Sequence, residues 1–113
     1  LQRKLRAKGL PWELSKAFDN SAALGTFIPL SEAGEIGNLS FHLDINGECV
    51  QSGNTADMLF PVDKIVSYVS QFFTLKIGDL IYTGTPAGVG PVKIGDHLEG
   101  YLGDRKLLDF HVR

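Results

Sequence analysis

Apolar and polar residues alternate most strictly over residues 38–45, NLSFHLDI. Leu39, Phe41, Leu43 and Ile45 take one parity, and Ser40, His42 and Asp44 the other. A period of two puts alternate side chains on opposite faces, so this run predicts a half-buried strand. Asn46-Gly47 follows directly, the pair suited to left-handed backbone at both centres of a type I′ turn, and Glu48–Ser52 is expected to return antiparallel. The same alternation closes the chain in RKLLDFHVR, where Leu108, Phe110 and Val112 interleave with Asp109, His111 and Arg113.

The period changes in FPVDKIVSYVSQFFTL (residues 60–75). Ile65, Val69 and Phe72 recur at i, i+4 and i+7 with Tyr68 beside them, which predicts one full helix with Pro61 in its first turn. At the start, LQRKLRAKG reads as the end of a helix: Leu1 and Leu5 are spaced i, i+4, the last turn is cationic, Gly9 suits the left-handed C′ position and Pro11 prevents continuation. A helix end without a visible beginning predicts that the chain is a fragment of something longer. LPWELSKAFDNSA (residues 10–22) has no clean period and predicts a loop with one helical turn. LKIGDLI (75–81) and VKIGDHL (92–98) are near copies, each predicting an Ile-Gly-Asp turn that feeds a strand. Strands outnumber helices without a βαβ rhythm, so the expected class is α+β, predominantly antiparallel sheet, and a dinucleotide fold is excluded.

Composition narrows the partners. The 113 residues are 43% hydrophobic and 21% charged with net charge −2, ordinary globular material with no basic excess for nucleic acid or an anionic membrane. No apolar run approaches the roughly 18 residues of a membrane span. Cys49 is the single cysteine, which excludes an internal disulfide and favours a reducing, cytoplasmic setting.

Candidate chemistry is sparse. Leu80–Pro91, LIYTGTPAGVGP, packs glycine, threonine and proline behind a strand-like run. It lacks the Gly-Lys-Ser/Thr ending of a phosphate loop and does not open a helix. Two readings stand: a plain strand connection, or a loop offering the Thr83 or Thr85 hydroxyl and backbone N–H groups to a ligand oxyanion. His42, His97 and His111 all fall at polar strand positions, read as solvent-facing, and none has a second ligand at a helical metal spacing. Asp57 and Asp63 flank the helix entry, where negative charge suits the dipole. Lys16, between Leu14 and Phe18, reads as a surface lysine that buries its stem or as an inward cation. No complete catalytic set is present.

GDLIYTGTPAGVGPVKIGD resembles the G-D-x-I-x-T-G-T-P-x-G-V-G signature of the fumarylacetoacetate hydrolase family. The likeness extends through KGLPWELSKAFDNSA, the hairpin NLSFHLDINGE and GNTADMLFPV, so that residues 1–113 are covered in order as the C-terminal part of one catalytic domain. The resemblance is greatest to the short acylpyruvase and oxaloacetate decarboxylase branch. It implies a β-roll of layered sheets, a homodimer, and an Mg²⁺ or Mn²⁺ site that chelates a small 2-oxo acid and stabilises a pyruvate enolate. It implies that Lys16 is the active-site lysine, that Thr85 contacts the substrate carboxylate with Gly84 letting the backbone approach, and that Gln2 lies near the substrate's distal oxygens. The family's Glu-x-Glu and Asp metal ligands and its His/Glu pair have no counterpart here and are expected ahead of Leu1, so none of these residues is expected to ligate the metal. Ala23-Leu24-Gly25-Thr26 stands where prolines commonly flank the glycine. The implied reaction is hydrolytic C–C cleavage of an acylpyruvate-like 2,4-dioxo acid. Oxaloacetate decarboxylation, isomerisation of a 2-hydroxy-diene-dioate, or a non-catalytic module with the same fold are the alternatives.

Overall fold

A computed structural model describes all residues 1–113. Strand β1 (Ser40–Ile45) turns into β2 (Glu48–Asn54) through Asn46 and Gly47, at φ 54° and 81°, the type I′ geometry that the pair predicts. β3 (His97–Leu102) and β4 (Arg105–His111) form a second hairpin, and the sheet runs β2-β1-β3-β4, antiparallel throughout.

Each edge strand carries a bulge. Leu43 pairs with Gln51 but Asp44 with Cys49, leaving Val50 extra on β2. Gly100 pairs with Leu108 but Tyr101 with Lys106, leaving Leu107 extra on β4. One extra residue kinks a strand and shifts its side-chain parity. A glycine docks at each: a Cβ on Gly88 would fall against the Val50 carbonyl oxygen, and one on Gly25 against that of Leu107. The Leu107 carbonyl also accepts the Thr26 N–H at 2.6 Å.

Helix α1 (Gln2–Ala7) ends as its sequence predicts. Gly9 is left-handed at φ 62°, its N–H donates to the Arg6 carbonyl (3.2 Å), and the Leu10 N–H donates to Leu5 (3.0 Å), which together form a Schellman cap. Residues Glu13–Ser15 make the single turn expected in the following loop, and α2 (Leu30–Ala33) is another single turn. Helix α3 spans Val62–Val69 and stops a turn earlier than its periodicity predicts. The Ser70 hydroxyl donates to the Ser67 carbonyl (2.9 Å), and the N–H groups of Gln71 and Phe72 reach back only three residues. A serine that bonds its own turn competes with helical continuation. Asp63 lies in the first turn of α3 as expected, whereas Asp57 belongs to a separate 3₁₀ turn, Thr55–Asp57.

The two Ile-Gly-Asp turns match almost atom for atom. In each, the aspartate accepts the N–H of the lysine three residues earlier at 2.7 Å and returns its own N–H at 3.1 Å, with Gly78 and Gly95 at φ 97° and 94°. Only the second leads into a strand. Leu80–Tyr82 has no ladder partner, which corrects the expectation of a strand there. Extended propensity fixes backbone shape, but a strand also needs a neighbour.

The sheet's inner face carries Phe41, Leu43, Leu98, Gly100, Leu102, Leu108 and Phe110. Leu98 is the one buried residue, at 9% exposure, while Leu59 is 95% exposed and Ile94 85%. The accessible surface is 9241 Å², against about 6,100 Å² for a folded monomer of this size. The excess lies in loops and helices, at residues such as Leu59, Phe73 and Ile94, while the sheet's inner-face residues are half-buried. No helix is long and apolar enough to cross a membrane.

Candidate active site

The glycine-rich loop lies over the inner side of β2. Gln51 projects from β2 opposite Leu43, and its Nε2 donates to Thr85 Oγ1 (2.9 Å) and faces the carbonyls of Pro86 (3.1 Å) and Ala87 (3.3 Å). A Cβ on Gly53 would come within 2.9 Å of the Phe41 ring and 3.3 Å of Pro86, so the missing side chain makes room for both. Gly84 takes φ 108°, a backbone conformation open to glycine at no steric cost.

Two concavities meet at this loop. The first, about 410 Å³, lies between Gly84–Pro86 and Ala23–Phe27 and is floored by Phe41, Leu43, Gly100 and Leu108. The second, about 600 Å³, opens on the other side toward Asn54–Phe60 and Ile65. Gly84, Thr85 and Pro86 line both. The Tyr82 hydroxyl approaches the Ala23 carbonyl at 3.4 Å and links the loop to the segment facing it.

Of the residues expected in a site, Gly84 and Thr85 stand together in this shared wall. Lys16 and Gln2 line neither concavity and are exposed, in a stretch (residues 1–20) where only Leu5 and Ser15 are better covered. Gln51 escapes the sequence reading because the bulge at Val50 breaks the alternation that would have marked a polar residue on the apolar face.

The outer face gathers a separate charged cluster. Asp44, Glu99 and Asp109 are cross-strand neighbours, and the register stacks His42 on Tyr101 (4.5 Å) and His97 on His111 (4.3 Å). The histidines thus do sit on the polar face, partly shielded by these stacks. His97, Glu99 and Asp109 offer ligand atoms within 4.8 Å of one another. However, the Lys106 ammonium lies 2.9 Å from Glu99 and 2.6 Å from Asp109, where a metal cation would otherwise balance the carboxylates. Lys106, then His97, hold the Asp109 carboxyl down at about 2, and Lys106 lowers Glu99 as well. These residues do not fit the expected metal, being charge-compensated already and on the face away from Thr85. Beside Thr85, Asp57 is the single carboxylate lining either concavity.

The model of the fumarylacetoacetate hydrolase C-terminal domain matches residues 1–112. The chain belongs to the fumarylacetoacetate hydrolase family. Within this family it is 50% identical over 99 residues to the oxaloacetate tautomerase YcgM of Escherichia coli, covering 87% of this chain and 45% of that protein. It is 44% identical over 112 residues to the human mitochondrial oxaloacetate tautomerase FAHD1, covering 99% and 51%. It also superposes on the fumarylpyruvate hydrolase of Pseudomonas aeruginosa, solved with Mn²⁺ and pyruvate, with a TM-score of 0.89 and 39% identity over 99% of this chain and 48% of that one. The chain spans about half the length of these family members. The expected family fold is thereby established for residues 1–113, down to the open four-stranded sheet.

Proposed function

We propose that the protein carrying this chain is an enzyme acting on a small 2-oxo acid of the oxaloacetate class, with residues 1–113 as the C-terminal part of its catalytic domain. The observation that carries this reading is the Thr85 hydroxyl, held by Gln51 in a wall shared by two concavities. An oxygen that already accepts an amide hydrogen keeps its own proton to donate, which suits a carboxylate. Similarity to two oxaloacetate tautomerases supports the substrate class and favours keto–enol interconversion. In that reaction the bond from hydrogen to the C2 oxygen breaks and one from hydrogen to C3 forms. Thr85 binds the C1 carboxylate and the Lys16 ammonium offsets enolate charge.

Hydrolytic C–C cleavage is the second reading, favoured by the similarity to a fumarylpyruvate hydrolase. It releases a pyruvate enolate, as does decarboxylation, whereas tautomerisation passes through the enolate of oxaloacetate itself; all three place negative charge on the C2 oxygen. Dependence on Mg²⁺ or Mn²⁺ and a homodimeric state are part of the proposal on the family resemblance alone. The metal's ligands would lie outside residues 1–113, since those beside Thr85 do not form a set.

The test follows enol oxaloacetate by its ultraviolet absorbance with the natively expressed protein, with and without added Mg²⁺. Acceleration over buffer is expected. Thr85→Val should weaken inhibition by oxalate, a planar enolate mimic, by about 10- to 100-fold through loss of a hydrogen bond to a charged group, whereas Thr85→Ser should retain it. No acceleration of tautomerisation, decarboxylation or fumarylpyruvate hydrolysis removes the proposal.

A further inference from the structure

We infer that Gln51 is a positioning residue for substrate binding, one that fixes the Thr85 hydroxyl as a donor toward the carboxylate of a 2-oxo acid. The inference rests on the reading of Thr85 just proposed and adds to it a residue that acts through Thr85.

The surroundings of the amide fix its orientation. Three acceptors surround Gln51 Nε2: Thr85 Oγ1 at 2.9 Å, the Pro86 carbonyl at 3.1 Å and the Ala87 carbonyl at 3.3 Å. Carbonyl oxygens only accept, so the opposite rotamer of the amide would turn Oε1 onto two oxygens that have no proton to give. The NH₂ end therefore faces the loop. One of its hydrogens goes to Thr85, the shortest contact, and the other is shared between the two carbonyls. Thr85 Oγ1 is consequently an acceptor from Gln51, and its own O–H proton has no acceptor within the protein. A hydroxyl rotor normally turns to suit its surroundings. Here one of its two roles is already assigned, and donation into the adjoining concavity is what remains.

The placement of Gln51 is itself built in. The bulge at Val50 returns Gln51 to the inner face opposite Leu43, Gly53 leaves room for Pro86, and Gly88 allows the loop to settle on the Val50 carbonyl. These contacts would hold the loop even without the amide. A purely structural tether could then be any side chain of similar size, whereas the orientation of the hydroxyl needs the N–H. That difference makes the inference testable.

The experiment titrates oxalate calorimetrically into the natively expressed protein with Mg²⁺ present, and measures steady-state kinetics and thermal melts in parallel. The variants are Gln51→Met, Thr85→Val and the double variant. Methionine keeps the length and packing of Gln51 but donates no hydrogen bond. Gln51→Met should weaken oxalate binding and raise KM on the order of tenfold, with kcat changed much less, as expected for one lost hydrogen bond. In the Thr85→Val background the same substitution should cost nothing further, because its route to the ligand is gone. Should Gln51→Met fail to fold, Gln51→Asn, which withdraws the amide by one methylene, should give the same loss. Wild-type oxalate affinity in Gln51→Met, or an undiminished penalty in the double variant, overturns the inference and leaves Gln51 as a tether. If Thr85→Val alone leaves oxalate binding unchanged, the carboxylate reading of Thr85 fails first and takes this one with it.

Discussion

Lys16 and Gly88 show how differently single residues bear on this molecule. Lys16 caps a 3₁₀ turn, is exposed, and its neighbours give it no partner in either concavity. Its assignment rests on the family motif, so kinetics decide it. Lys16→Met should lower kcat about 10²–10³-fold, the usual cost of removing a donor to developing negative charge, with the melting temperature unchanged. Wild-type turnover returns Lys16 to the surface. Gly88 is the opposite case, silent in chemistry and demanding in shape. Its φ is 99° and a Cβ would strike the Val50 carbonyl, so Gly88→Ala should destabilise by about 2–4 kcal/mol from backbone strain and overpacking combined. An unchanged denaturant midpoint would show that the loop does not rest on the bulge. The sequence marks this glycine as part of a loop, but not the carbonyl it meets, since the partner lies across the fold on a strand whose bulge leaves no pattern of its own.

Among the elements, the first hairpin was the most legible. Asn-Gly behind one strictly alternating run contains nearly all the information that a two-residue turn needs. The length of α3 was not legible, because periodicity in Phe72 says nothing of Ser70 bonding its own turn. The charged face was hidden as well: His97, Glu99, Lys106 and Asp109 meet only through the β3–β4 register, which includes the bulge at Leu107. That face sets the pH response. Folding lowers the Asp109 carboxyl to about 2 from its ordinary value of about 3.9. A carboxyl lowered in this way contributes stability that is complete above its unfolded value and is lost as pH falls toward 2. Lys106 is raised, so its contribution is complete below the ordinary lysine range and declines only in stronger alkali. Lys106→Met should lower the melting temperature at pH 7 and flatten its fall between about pH 4 and pH 2. An acid limb identical to wild type would mean that the row Asp44–Glu99–Asp109 is balanced by something other than this ammonium.

For the molecule as a whole, the exposed apolar surface of loops and helices dominates. A radius of gyration of 15.7 Å exceeds the roughly 13 Å of a compact domain of this length, and apolar side chains such as Leu59, Val89 and Ile94 face outward. Residues 1–113 prepared alone should bind a hydrophobic dye strongly and self-associate as concentration rises, read by light scattering. A monomer with a sharp cooperative melt and no dye binding would refute this. What form such assemblies take follows from the edges of the sheet. Fibril growth adds strands to a row of free, evenly spaced N–H and C=O groups. On β2 that row is interrupted at Val50, where Gly88 sits on the carbonyl, and on β4 at Leu107, whose carbonyl is taken by Thr26. Both templates are interrupted while the exposed apolar surface stays adhesive. The aggregates should therefore be amorphous, silent to amyloid-sensitive dyes and dispersible by mild detergent, so that the same two kinks that seat the candidate site also keep the molecule out of the cross-β state.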